Sequence, residues 1–165
     1  MPRVTRSAEV RIPASRAYDY LKGGDHVKDW IPDVSRSERI TPGPARVGSR
    51  IVFAFRLAGH DFEITNEITQ LREPTLVGFR AVTGVANHGH FEIRSVSTNA
   101  CIVTLHFEFE LPRGPVGAIA RFLPVDRMID HFAQTSLARL VEKLESLEPA
   151  STEKPASHPS QTGEP

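Results

Sequence analysis

The apolar residues of this chain change period once, and that change limits the folds open to it. In the first two-thirds they alternate with polar residues, run after run, as in strands with one buried face. Val4, Ala8, Val10 and Ile12 share a side over residues 4–12, interrupted only by Arg6. Ile51, Phe53, Phe55 and Leu57 do the same, and so do Phe62, Ile64, Asn66 and Ile68, after a Gly59-His60 turn. Phe91 and Ile93 follow, and the longest run sets Val103, Leu105, Phe107, Phe109 and Leu111 against Thr104, His106, Glu108 and Glu110. Residues 76–82 read as a strand of either parity, and residues 35–41 as a weak edge strand. From Pro115 to Leu147 the spacing becomes helical, with Pro124 expected to kink or break the helix.

Between the first two strands, Pro13 and Gly23-Gly24 bracket a short helix, and residues 26–31 form a second before Pro32. Strands joined by short turns make an antiparallel meander with one buried face. The expected fold is therefore α+β: a curved antiparallel seven-stranded sheet gripping a long C-terminal helix, with two short helices after the first strand.

Composition removes several function classes. Twenty basic and twenty acidic residues leave no net charge, which argues against a nucleic-acid partner. No apolar run approaches the roughly 20 residues that span a bilayer, so no membrane insertion is expected. The single cysteine, Cys101, excludes an intramolecular disulfide and suits a reducing compartment. The start MPRVTRSAEV lacks an apolar signal core, so the expected location is cytoplasmic. Residues 148–165 are rich in Pro and Ser with no large aliphatic residue, and are expected to be a disordered tail on a domain of residues 1–147.

Val10-Arg11-Ile12-Pro13-Ala14 running into Tyr18 and Leu21, Trp30-Ile31-Pro32, Val47-Gly48, Glu73-Pro74 and the helix ending LARLVEKLES occur here in a particular order. In that order the chain resembles the helix-grip superfamily of START and Bet v 1-like proteins, in its bacterial polyketide cyclase/dehydrase-like subgroup. The resemblance spans roughly residues 4–147 and implies a cavity between sheet and helix for an apolar or amphipathic ligand. It supplies no catalytic motif, because the acid–base groups of family enzymes cannot be matched to positions here.

Within that implied cavity, Asn66 stands out as an amide on the Phe62, Ile64 and Ile68 face. A buried amide needs a partner, which would be either a ligand or an internal brace from backbone or water. The expected lining includes Asn66 with Trp30, Phe53, Phe55, Ile64 and Phe79. Phe91, Leu105 and Phe107 add to it from later strands, and Met128 and Phe132 from the helix. Without the cavity the phenylalanines would read as a solid core.

Other candidates carry less. His88-Gly89-His90 places two imidazoles on one strand side, but Arg94 stands where a cupin-type motif would have a carboxylate. No metal and no cofactor are expected. Arg80 is either exposed or a buried cation that would pair with a ligand carboxylate, according to its strand's parity. Arg36, Arg39, Arg46 and Arg50, with Glu38 among them, read as a solvated face. There is no phosphate loop and no GxSxG elbow. The function expected is non-covalent carriage or sensing of a small hydrophobic molecule such as a lipid, polyketide or aromatic metabolite. The alternatives are a cyclase, aromatase or dehydratase using cavity polar groups, and a protein-interaction module with no partner identifiable from sequence.

Overall fold

The computed structural model describes residues 2–57, 59–110, 114–115 and 122–147. Seven strands form one antiparallel curved sheet: β1 (Arg3–Val10), β2 (Val34–Arg39), β3 (Arg50–Leu57), β4 (His60–Arg72), β5 (Leu76–Thr83), β6 (Asn87–Ser97) and β7 (Ala100–Phe109). Two short helices, α1 (Ala14–Leu21) and α2 (Val27–Trp30), follow β1, and α3 (Val125–Glu145) ends the described chain. The sheet order is β1-β7-β6-β5-β4-β3-β2. A sequential meander thus closes back on the first strand, so β1 and β2 become the two edges.

The expected architecture holds, and of the kink or break expected at Pro124 the structure shows the break. This residue does not kink a longer helix; it caps the N-terminus of α3, and its carbonyl accepts from the backbone N–H groups of Arg127 and Met128. Proline tolerates a helix start because it has no N–H to leave unsatisfied. Phe122 accordingly lies in the turn before α3 rather than on it. The helical spacing expected over residues 116–121, and the tail over 148–165, fall outside the described residues.

Pairing registers fix one inner face. Val4 opposes Phe107, Leu105 opposes Phe91, and Phe91 opposes Val77, all on the side covered by the helices. α3 packs on β1 and α2, while α1 packs under β5, β6 and β7. Leu137, Leu140 and Leu144 on α3 share one core with Val10, Ile93, Val103 and Cys101. Burial alone pushes the Cys101 thiol above its usual range, which makes it an inert packing group.

The sheet face is therefore used unevenly. Its β1, β7 and β6 part lies under helices and is densely packed. Toward β3 and β4, the inner side chains Phe53, Phe55, Phe62 and Ile64 are only half-buried. Among the described residues, no helix is long and apolar enough to cross a membrane.

Candidate functional site

Strand alternation places Phe53, Ile64, Asn66 and Phe79 on the inner face, and the β3–β4 register sets Phe53 opposite Ile64 and Phe55 opposite Phe62. The Phe55 and Phe62 rings stack at 5.4 Å. A second aromatic row crosses the middle of the sheet. Phe79 lies 6.0 Å from Phe91 and 6.2 Å from Phe107, and Phe107 stacks on Phe109 at 5.8 Å. Gly89 makes this row possible. A Cβ there would come within 2.9 Å of the Phe79 ring and would collide with the His106 carbonyl, so only glycine lets Phe79 settle over β6.

Trp30, Phe91 and Leu105 are buried within the main core, where Trp30 meets Phe91 edge-on at 5.8 Å. Phe79 and Phe107 pack against that core from its margin. Phe53, Phe55, Ile64 and Asn66 continue the surface toward β3 and β4. Met128 and Phe132 lie on α3 and are exposed, at 51% and 41%. The structure thus aligns Phe53, Phe55, Ile64, Asn66, Phe79 and Phe107 along one face, seats Trp30, Phe91 and Leu105 in the core, and leaves Met128 and Phe132 at the solvent side of the helix.

Asn66 is 8% exposed, and its Oδ1 is buried without a hydrogen-bond partner. An orphaned buried carbonyl is costly, typically about 1–3 kcal/mol. Sequence reading missed a second such group, Asn87. It is 9% exposed, its Nδ2 donates to the Val85 carbonyl at 3.0 Å, and its Oδ1 has no partner. The Nδ2 bond fixes the amide orientation, so the free atom is an acceptor. Asn66 opposes Ala81, and continuing the β5–β6 register one step past Arg80↔His88 sets Ala81 opposite Asn87. The two amides therefore flank a small side chain, their strands roughly 10 Å apart by the usual interstrand spacing. The signal was present in the sequence: the parity of Phe91, carried back four residues through Gly89, lands on Asn87.

The ionisable groups are distributed otherwise. Arg80 projects from the convex face at 60% side-chain exposure, with Glu67 at 3.6 Å. This resolves the parity in favour of Val77 and Phe79 facing inward. Arg80→Ala is expected to change unfolding free energy by less than about 0.5 kcal/mol, measured by urea denaturation, because exposed ion pairs contribute little. His88, His90 and His106 are also on the convex face. Arg6 lies on the other side: it occupies an inner-face position on β1 opposite Leu105, donates from Nη2 to Asp130 on α3, and keeps a buried Nε without a partner. Tyr20, buried and close to the Asp29 carboxylate, has its phenol pushed up to about 12 and stays neutral at ordinary pH.

A depression of about 400 Å³ separates the start of β1 from the first turns of α3, lined by Pro2, Val4, Asp126, Arg127, Ile129 and Asp130. It has no aromatic wall and several charges. The half-buried aromatic surface with its two orphaned amides is the better fit to an apolar ligand carrying a few polar groups.

The family model for polyketide cyclase/dehydrase and lipid transport proteins matches residues 1–145. No curated protein matches the sequence. Among solved structures, the Thermus thermophilus protein TTHA0849 superposes with a TM-score of 0.72 at 20% identity, covering 87% of this chain and 97% of that one. The ZhuI aromatase/cyclase of a Streptomyces species gives 0.68 at 14% identity, over 87% and 93%. A START superfamily protein from Mycobacterium smegmatis gives 0.62 at 13% identity, over 87% and 94%. At these identities the likeness is one of fold.

Proposed function

We propose, for a chain that belongs to the polyketide cyclase/dehydrase and lipid transport family, that residues 1–147 bind a small hydrophobic or amphipathic molecule non-covalently on the inner sheet face. A lipid, a polyketide or an aromatic metabolite has the required surface. The observation that carries this reading is the buried, unpartnered Oδ1 of Asn66 beside half-buried Phe53, Ile64 and Phe79. An apolar floor supplies area, and an acceptor that the protein leaves unsatisfied supplies orientation. Asn87, whose Nδ2 is already engaged, favours a ligand hydroxyl or N–H donor, while Asn66 can meet either a donor or an acceptor.

Native mass spectrometry of freshly purified protein is expected to show an adduct that organic extraction removes. The extracted protein should then bind 1-anilinonaphthalene-8-sulfonate, and the extract should displace it. A protein that purifies without adduct, and whose folded form takes up no fluorophore, would overturn the reading.

One observation favours a cyclase or dehydratase as second reading. Arg6 offers a guanidinium with an unpartnered buried Nε on the inner side, next to Asp130. Such a group can stabilise charge developing on a substrate oxygen. Under this reading Arg6→Met abolishes turnover of a poly-β-ketone substrate while binding persists; under carriage alone there is no turnover to lose.

A further inference from the structure

The β6–β7 register sets His90 directly opposite His106 on the convex face, and Glu92 follows two residues along the same side. The two imidazoles stack at 4.5 Å with 22° between their planes. Glu92 reaches both: Oε1 is 3.3 Å from His90 Nε2, and Oε2 is 3.6 Å from His106 Nε2. One ligand atom from each of the three side chains lies within 4.8 Å of the other two. Ligands held about 2.0–2.2 Å from a tetrahedral zinc stand roughly 3.4 Å from one another. Each imidazole nitrogen already stands near that distance from one oxygen of the Glu92 carboxylate, and the three ligand atoms have to close from at most 4.8 Å.

The second observation concerns a single nitrogen. His106 Nε2 is buried and has no hydrogen-bond partner, while its Nδ1 lies 3.2 Å from Thr5 Oγ1 on β1. With the ring proton on Nδ1 and donated to Thr5, Nε2 turns a lone pair toward a carboxylate oxygen at 3.6 Å. In that tautomer Nε2 and the carboxylate oxygen are both free to face a cation. Thr5 then fills the role that outer hydrogen-bond partners play for metal-bound imidazoles, fixing tautomer and ring orientation.

We infer that His90, Glu92 and His106 form a binding site for a divalent transition metal, of the Zn²⁺ type, on the convex face of the sheet. Two imidazoles and one carboxylate suit such an ion and do not suit Mg²⁺ or Ca²⁺, which favour all-oxygen shells. The three ligands leave a fourth position for water. The ion ties β6 to β7 on the side of the sheet opposite the aromatic surface, so the site is independent of the ligand reading above.

Untagged protein, stripped with chelator and titrated calorimetrically with ZnCl₂ at about pH 7.5, where free imidazole is mostly neutral, should bind one equivalent, and Mg²⁺ should give no binding. His106→Ala is expected to weaken Zn²⁺ binding by about 100-fold or more, and Thr5→Val by about tenfold. Glu92→Gln changes an exposed side chain, so it tests ligation even if His106→Ala fails to fold; it should weaken binding by at least about tenfold. His88→Ala should leave binding unchanged, since His88 pairs instead with Glu108 at 3.1 Å. Absence of Zn²⁺ binding by the wild type, or a loss in His88→Ala equal to that in Glu92→Gln, would overturn the site.

Discussion

Leu140→Ala is expected to lower the unfolding free energy by about 2–5 kcal/mol. Leu140 is fully buried and stands between Leu137 and Leu144, one helical turn from each. It shares its core with Val10, Val103 and Cys101, none of which has any exposed surface. Those three sit on paired strands β1 and β7, whose ladder cannot move inward to fill the space left by a lost isobutyl group. The cavity therefore persists, and its cost adds to the lost burial. For a chain of this length the melting temperature should fall by roughly 5–15 °C. The denaturant midpoint should drop with an unchanged slope, since the surface exposed on unfolding stays the same. A loss below about 1 kcal/mol would mean that α3 is not anchored to the sheet through this stripe.

The same packing explains why so much of the fold is legible in the sequence. Each strand has one face against helices or core, so its alternation writes the inner face directly into the residue pattern, most clearly in Val103, Leu105 and Phe107. Turn residues such as Gly59 and the 98–99 pair supply the boundaries. Residues 76–82 resist because Val77 and Phe79 are inside while Leu76 and Val82 are also half-buried. Only the partners Glu67 and His88 decide where Arg80 points. Pro124 is legible as well: it interrupts the helical spacing, and α3 starts directly after it.

The candidate site is partly legible, and its gaps have physical causes. Asn66 stands out because it interrupts an apolar face. Asn87 does not, because Gly89 stands between it and Phe91 and erases the alternation. The convex-face cluster is half visible as His88-Gly89-His90, but the pair that meets is His90 and His106, distant in sequence and joined only by strand pairing. Which apolar residues line a surface and which fill the core also depends on tertiary contacts. Trp30, Phe91 and Leu105 carry the same pattern as Phe53 and Ile64, yet the first three are locked under the helices. Met128 and Phe132 follow the helical spacing of the buried leucines and still end up exposed.

Leucine at position 66 and leucine at position 87 should move stability in opposite directions, although both remove a buried amide from the same sheet face. The Oδ1 of Asn66 has no partner, so Asn66→Leu strands nothing at that atom and removes a desolvation cost. Folding stability of the ligand-free protein should hold or rise by about 1–2 kcal/mol. Asn87 donates to the Val85 carbonyl at 3.0 Å, so Asn87→Leu loses that bond and should cost about 1 kcal/mol or more. Ligand affinity should fall in both variants, by about fivefold for each neutral hydrogen bond lost. Thermal melts and a displacement titration on the two proteins separate the contributions. The diagnostic result is Asn66→Leu that is at least as stable as wild type and binds more weakly, because a ligand is then the partner its carbonyl was left without. If Asn66→Leu instead destabilises the fold by roughly 1–3 kcal/mol with affinity unchanged, the amide braces the protein, and recognition rests on the shape of the aromatic surface alone.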